Sequence, residues 1–353
     1  MAAPSPVPTE ALWLDRPGGS FRLGPIEPGV LGPDELRIRA RAIAVNPVDM
    51  MGGIARRVVL PWLRYPAVVG SDVAGEVVAV GSAVTRFRVG ERVVGYAVGA
   101  EKTSNRAAEG GFQGLPVLRE HLCAPIPDGT TFEEACVIPL ACTTAAAGLF
   151  EAGQLALDSG RGGVVRDSQA VLVWGGSTSV GLNAIQLARL AGYTVITTAS
   201  PKNFDLVRSV GASAAFDYKD PGAVPQIVER LAGQQLAGAI AIGAGALRPV
   251  IRITARVAGR KRVASAYPTP GTAVRSSLAR RQGVQVSAIW GGSPKDSPVG
   301  SLLWADILPS ALADGTFQPK PDPFIVGHGL AAIPGALDRL RRGVSAQKLI
   351  VTL

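Results

Sequence analysis

Histidine is nearly missing from this chain: His121 and His328 are the whole supply among 353 residues. A catalytic zinc draws on His, Cys and carboxylate ligands at recognisable spacing. Two isolated imidazoles leave that pool thin, so no metal is expected. Cysteine is also scarce. Cys123, Cys136 and Cys142 make neither an even framework nor a C-x-x-C pair, which excludes a disulfide scaffold and fits reduced, buried thiols. Aromatic residues are 5% of the chain. They are too few to interleave with the scattered Arg56-Arg57, Arg280-Arg281 and Arg341-Arg342 as a base-stacking platform, so nucleic acid is not an expected partner. No run reaches the roughly 18–20 unbroken apolar residues of a membrane span. The opening Met1-Ala-Ala-Pro-Ser-Pro-Val-Pro lacks the basic-then-apolar order of a secretory leader. A cytoplasmic chain without membrane attachment is the expectation, and no repeat period suggests a solenoid.

What is present favours a large globular protein. Apolar residues make up 47% and charged residues 18%, ample for a sizeable core, and the length points to two domains. The net charge of +9 speeds encounter with anions such as a CoA ester, an acidic acyl carrier protein or nucleic acid, and charge alone does not choose among them. Monomer and homodimer stay equally open.

The first 150 residues read as β-rich. Residues 36–45 alternate basic and apolar side chains at period two, residues 71–80 are small and apolar, and 91–96 make another short strand. Gly-Pro and Pro-Asp-Gly turns punctuate them, and Thr130 or Thr131 caps a helix whose first turn carries Glu133 and Glu134. Residues 153–168 read as an exposed connection. From Ala170 onward the pattern alternates: strands at 170–174, 194–198, 214–216, 237–242 and 261–266, with helices at 179–191, 201–210, 221–232 and 245–258 between them. That alternation predicts a doubly wound parallel sheet with its ligand at the carboxyl edge. The tail, with helices at 302–314 and 329–342 and a strand at 348–353, is expected to return to the first domain. The division expected is residues 1–152 and 291–353 against 153–290, with the active cleft between the two parts.

The most telling stretch is Val171-Leu-Val-Trp-Gly-Gly-Ser-Thr-Ser-Val-Gly181, an apolar strand entering a small-residue turn and a helix start. Such a turn presents backbone N–H groups and the positive helix end to a pyrophosphate. A strict G-x-G-x-x-G is absent because Thr178 takes the middle glycine's place. Gly176, Ser177, Thr178, Ser179 and Val180 are the expected pyrophosphate residues, with the three hydroxyls as added donors. At the end of the next strand stand Ser200, Lys202 and Asn203, where an NAD site places an acid. Donors and a positive charge there favour a 2'-phosphate, so NADPH is the expected cofactor.

These residues resemble the medium-chain dehydrogenase/reductases, and within them the zinc-free, NADPH-dependent branch of quinone reductases and trans-acting enoyl reductases serving polyketide synthases. The likeness spans nearly the whole chain. It rests on Ala44-Val-Asn46-Pro47-Val-Asp49, Gly70-Ser-Asp72-Val-Ala-Gly75, Val89-Gly90-Glu91-Arg92-Val93, Ile138-Pro139-Leu-Ala-Cys-Thr-Thr144, Gly175 to Gly181, Ser200-Pro-Lys-Asn-Phe204 and Phe216-Asp217-Tyr218. It implies an α/β protein with a Rossmann-type doubly wound parallel sheet plus a β-rich GroES-like catalytic domain. Zinc-using relatives carry Cys-His where this chain has Asn46-Pro47, and Gly-His-Glu where it has Gly70-Ser71-Asp72.

The resemblance sets Asn46 and Thr144 beside the nicotinamide, as catalytic residues with Asp49, counts Pro47 and Met51 among the cofactor contacts, and puts Tyr218 near the adenine and 2'-phosphate. It puts Ala264 and Ser265 beside the ribose, Ile289 near the carboxamide, and Lys348 within reach of the cofactor from the tail. Met51 replaces a lysine common in enoyl reductases, so the proton donor stays open among water, Thr144, Asp49 and the substrate. Hydride transfer to a conjugated C=C of a small or carrier-bound unsaturated carbonyl compound, in secondary metabolism, is the implied reaction. With a polyene acceptor it extends to reductive cyclisation. The alternatives are a quinone reductase and a non-catalytic NADPH-binding protein.

Overall fold

The computed structural model describes residues 9–160, 166–266 and 271–353. The chain forms two compact units. One comprises Met1–Leu140, Gly300–Ala313 and Asp322–Leu353; the other comprises Ala141–Val299 and Asp314–Pro321.

Period-two alternation builds the first unit. In strand Glu35–Ala44, Leu36, Ile38, Ala40 and Ala42 point into the core while Arg37, Arg39 and Arg41 lean outward. This strand sits within a seven-stranded sheet ordered Asp322–His328, Gln347–Thr352, Glu35–Ala44, Asp72–Val80, Arg92–Tyr96 and Cys123–Pro125, with Val117–Arg119 also pairing Glu35–Ala44. The tail therefore returns to this unit, with Ile350 opposite Ala44. A smaller sheet joins Phe21–Ile26, Thr9–Leu14 and Ala67–Val68. Ile38, Ile43, Val73, Val77, Phe112, Leu118, Leu349 and Val351 share one buried core. Thr131 is the cap of helix Phe132–Ala135, in a complete capping box with Glu134.

The second unit is a parallel sheet of six strands ordered Ala214–Asp217, Tyr193–Ala199, Arg166–Trp174, Gln235–Ala241, Arg262–Ser265 and Gln285–Ala288. In chain order this is 3-2-1-4-5-6, the doubly wound arrangement whose switch point lies beside the first strand. Five strands were legible from alternation. The sixth was not, because Gln285–Ala288 is a short, half-exposed edge strand with two polar residues.

The two units meet the chain at other points than 152/153 and 290/291. Gly148, on helix Pro139–Phe150, lies so close to Ile289 and Ile240 that a Cβ there would stand 2.6 Å and 3.4 Å from their methyl groups. That contact places most of the helix in the second unit. Residues 314–321 join it through Gln186, whose amide bonds both the N–H (2.7 Å) and the C=O (3.1 Å) of Gln318. The expected connection at 153–168 is exposed only in part, since Leu155 and Leu157 are buried; its residues 161–165 lie outside the described residues. Among the described residues, Phe132–Phe150 is the one helical stretch apolar and long enough to pass for a membrane span. Since 72% of its most apolar window is buried within the fold, it reads as a core helix.

Candidate active site

Immediately after strand Glu35–Ala44 the chain turns through Asn46-Pro47-Val-Asp49. The Asp49 carboxylate closes that turn by accepting the Asn46 N–H at 2.8 Å. Both side chains are buried. Desolvation pushes the Asp49 carboxyl up to about 7; the Asp72 charge adds to this, while the Asn46 N–H, Lys348 and Arg56 oppose it. Arg56 is buried beside the turn, where its Nη2 donates to the carbonyls of Asp49 (2.7 Å) and Met51 (3.3 Å).

Asp72 is the hub of the unit. With no exposed surface, its carboxylate accepts from Lys348 Nζ at 2.8 Å, Asn46 Nδ2 at 2.9 Å and the Leu140 N–H at 2.6 Å. Leu140 opens helix Pro139–Phe150, so a negative charge sits at a helix N-terminus, where the peptide dipoles favour it. Lys348 Nζ also donates to Asn46 Oδ1 at 2.5 Å. Asn46 is thus held in one amide orientation, nitrogen to carboxylate and oxygen to ammonium. All three thiols are buried, and burial pushes each upward, which leaves them protonated and unsuited to nucleophilic work. Among the described residues no three His, Cys, Asp or Glu side chains come together as a metal site.

In the second unit the strand Arg166–Trp174 ends at Gly175, whose φ of +93° suits a residue without a side chain. Gly181 is required for packing, because a Cβ there would lie 2.3 Å from the Gly175 carbonyl oxygen. Helix Ser179–Leu190 begins with Thr178 as its cap. The Thr178 hydroxyl accepts the Gly181 N–H at 3.0 Å and donates to the Gly175 carbonyl at 2.8 Å. Its proton is therefore spent inside the turn, and the hydroxyls of Ser177 and Ser179 remain as the expected extra donors. The first-turn N–H groups of Ser179 and Val180 have no acceptor within the helix.

The carboxyl end of the neighbouring strand Tyr193–Ala199 lies against this turn, with Gly175 N donating to Thr198 Oγ1 at 3.0 Å and Gly176 N to the Thr198 carbonyl at 2.8 Å. Ser200 follows, its Oγ 3.5 Å from the Tyr218 hydroxyl at the end of the next strand. Lys202 is exposed and Asn203 half-buried on the 3-10 turn Pro201–Asn203. Ser265 ends strand Arg262–Ser265 after Ala264, and Ile289 N donates to the Ser265 carbonyl at 2.8 Å. These groups share the carboxyl edge of one sheet. A cavity of about 340 Å³ flanked by Arg262, Arg280 and Gln285 lies toward the opposite edge, where two of its strands begin.

Comparison with known proteins gives this geometry a family. Residues 32–128 match the Alcohol dehydrogenase GroES-like domain. A dehydrogenase of Aspergillus niger (orf1) is 44% identical over 91% of this chain and 92% of its own length. The chain belongs to the medium-chain dehydrogenase/reductase family. A trans-enoyl reductase of Aspergillus japonicus (himH) is 35% identical, over 95% of this chain and 94% of its own. The crystal structure of an alcohol dehydrogenase superfamily protein from Novosphingobium aromaticivorans superposes with a TM-score of 0.76 at 25% identity, covering 98% of this chain and 99% of that one. The GroES-like unit and the Rossmann-type sheet are those of the family, and with the fold comes a nicotinamide cofactor and oxidoreductase chemistry.

Within this medium-chain dehydrogenase/reductase the expected residues fall into two sets. Asn46, Pro47, Asp49, Met51 and Lys348 belong to the GroES-like unit, where Asn46, Asp49 and Lys348 are joined with Asp72 in one buried network. Gly176 to Val180, Ser200, Lys202, Asn203, Tyr218, Ala264, Ser265 and Ile289 belong to the sheet edge of the other unit; Thr144, half-buried on helix Pro139–Phe150, belongs to the same unit. Lys348, expected to reach the cofactor, has its ammonium on Asp72 and Asn46. Asp72 and Arg56 were not singled out as site residues. Asp72 carried a signal, since it stands alone in a small apolar run; Arg56, next to Arg57, reads as ordinary surface.

Proposed function

We propose that the protein is an NADPH-dependent, metal-independent reductase of conjugated C=C bonds in enone or enoyl compounds of secondary metabolism. One observation supports this above others. Where metal-using relatives hold their ligands, this chain has Asn46 and Asp72 turned on each other and on Lys348. An electrophile met there must be activated by its own conjugation, and an α,β-unsaturated carbonyl is so activated. The trans-enoyl reductase name borne by a 35% identical relative points the same way.

The donor set suits NADPH. The first-turn N–H groups at Ser179 and Val180 and the hydroxyls of Ser177 and Ser179 would hold the pyrophosphate, and Ser200, Lys202, Asn203 and Tyr218 would offer hydroxyl, ammonium and amide groups to a 2'-phosphate. When bound, the reduced nicotinamide supplies a hydride to the electron-poor β-carbon of the acceptor. By the resemblance, Asn46 would hold the carboxamide, its amide pre-set by Asp72 and Lys348, and Thr144 the ribose. Asp49, which holds its proton up to about pH 7, would donate it to the α-carbon of the enolate, the new C–H replacing its O–H, and take another from solvent before the next turnover.

An absorbance assay of NADPH oxidation against enones, enoyl thioesters and quinones tests the reading. Turnover of the first two, with purified protein free of zinc, is expected. Cofactor binding in the micromolar range without oxidation by any acceptor refutes it and favours a non-catalytic NADPH-binding protein.

A further inference from the structure

Positive charge is concentrated in one part of the chain. Between Arg230 and Lys295 lie eleven of the 36 Lys and Arg and none of the 27 Asp and Glu, more than the whole net charge of +9. That stretch holds strands Gln235–Ala241, Arg262–Ser265 and Gln285–Ala288 with helices Leu247–Arg256 and Thr272–Arg280 between them. Some of its arginines are dispersed: Arg248, Arg252 and Arg256 stand exposed along about 12 Å of one helix face. Others converge on a hollow. The cavity of about 340 Å³ is lined by Gly153, Arg262, Arg280, Gln285, Val286 and Ser287. Arg262 and Gln285 open neighbouring parallel strands as register partners, and Arg280 ends the helix that precedes Gln285.

The walls of this cavity are fastened, while its charges are left unmatched. Gln154 Nε2 donates to the Ala288 carbonyl at 2.9 Å and Gln154 Oε1 accepts from Ser287 Oγ at 2.6 Å, which ties the chain beside Gly153 to the edge strand. Arg262 Nη2 donates to the Ala152 carbonyl at 3.2 Å. Among the described residues neither Arg262 nor Arg280 meets a carboxylate. Glu151, the acid nearest Gly153 along the chain, accepts instead from the hydroxyls of Ser293 (2.9 Å) and Ser297 (3.2 Å). Two guanidiniums on one hollow repel, and a shared anion turns that repulsion into charge-assisted hydrogen bonds. We propose that the cavity is an anion site for the phosphate monoester of an organic molecule, separate from the dinucleotide site. A phosphate monoester suits it because the ester carries close to two negative charges at neutral pH, against two arginines, and because the guanidinium fork matches phosphate oxygens. Gln285 adds an amide, while Gly153 and Val286 leave an apolar side for the organic group. Arg262 and Gln285 begin strands whose far ends, Ser265 and Ala288, lie three residues and about 10 Å further on, at the carboxyl edge. The site therefore fills while a dinucleotide is bound, and independently of any acceptor.

Phenyl phosphate, titrated calorimetrically into the full-length protein with saturating NADPH at about 0.15 M salt, tests the site under conditions that screen long-range attraction. One molecule is expected to bind per chain. Arg262→Gln/Arg280→Gln should weaken it about tenfold or more while NADPH affinity stays unchanged. Arg280→Gln alone, which removes a guanidinium bonded to no other group among the described residues, should already weaken it several-fold. Arg248→Gln/Arg252→Gln removes the same two charges outside the cavity and should leave the affinity within about twofold. A second pair of probes identifies the source of the phosphate. Tighter binding of CoA than of dephospho-CoA, which lacks the 3'-monoester, assigns it to a nucleotide carrier; equal binding of the two, with phenyl phosphate bound, assigns it to a free small phosphate. No binding of phenyl phosphate to the NADPH-loaded protein, or equal losses in the two double variants, overturns the site.

Discussion

At the scale of single residues, Asp49 couples the fold to pH. Its carboxyl is raised by burial from 3.8 to about 7, so folding favours its protonated form. Its contribution to stability is full below about pH 4 and is lost as the pH rises through 7. Asp49→Asn keeps an oxygen to accept the Asn46 N–H and removes the charge. Thermal melts should show variant and parent alike near pH 4 and the variant increasingly the more stable toward pH 8. A gap independent of pH would mean that this carboxyl is not the titrating group. If Asp49 is also the proton source, kcat falls above pH 7 in the parent, and the variant loses that limb together with most of its activity. Lys202 carries a separate expectation. Lys202→Glu should weaken NADPH binding by about 1.5–3 kcal/mol and NADH by far less, measured by titration calorimetry; equal losses would remove the 2'-phosphate from this lysine.

At the scale of elements, the strand-turn-helix of the nucleotide unit depends on a close approach that only glycine permits. A methyl group on Gly181 would meet the Gly175 carbonyl oxygen at 2.3 Å and Gly176 Cα at 2.7 Å. Both are backbone atoms, and neither can swing aside. Gly181→Ala should therefore push the helix start off the strand end, costing about 1–3 kcal/mol of stability and abolishing NADPH binding. Thr178→Ala removes a cap worth about 0.5–2 kcal/mol, and Thr178→Ser should restore most of it in chemical denaturation.

This element was legible in the sequence because strand, turn and helix are contiguous and each follows a local rule. The same holds for strand Glu35–Ala44, whose Arg-apolar alternation announces its faces, and for the Thr131 capping box. Legibility fails where the decisive partner is remote. Gln186 and Asn183 read as ordinary polar helix residues, yet through Gln318 and the Lys320 carbonyl they fasten residues 314–321 to the nucleotide unit. Helix Gly53–Val59 is illegible for a related reason: its Arg56 finds buried carbonyls on the preceding loop, and periodicity does not record which face the backbone acceptors occupy.

At the scale of the whole chain, the GroES-like unit is closed by a bond between residues 276 positions apart in sequence. Lys348, on the last strand, neutralises Asp72 while Asn46 and the Leu140 N–H take its remaining lone pairs. Four distant segments converge on one carboxylate with no exposed surface. A buried pair of this kind adds little over an apolar pair of the same shape, but removing one partner strands the other charge away from water. Lys348→Met should accordingly destabilise the protein by about 3–5 kcal/mol and release Asn46 from its fixed amide orientation.

Adding Asp72→Asn to that variant removes the stranded charge and leaves an oxygen for the Leu140 N–H. The double variant should then be more stable than Lys348→Met alone in urea denaturation, even though it carries one more substitution. If the second change deepens the loss instead, the carboxylate is held mainly by the helix start and the Asn46 amide, and Lys348 is dispensable to the fold. Cofactor titrations on the same pair distinguish the two roles suggested for Lys348. A lysine that acts through Asn46 loses nicotinamide affinity in the single variant and regains part of it in the double. One that touches the cofactor directly loses affinity equally in both.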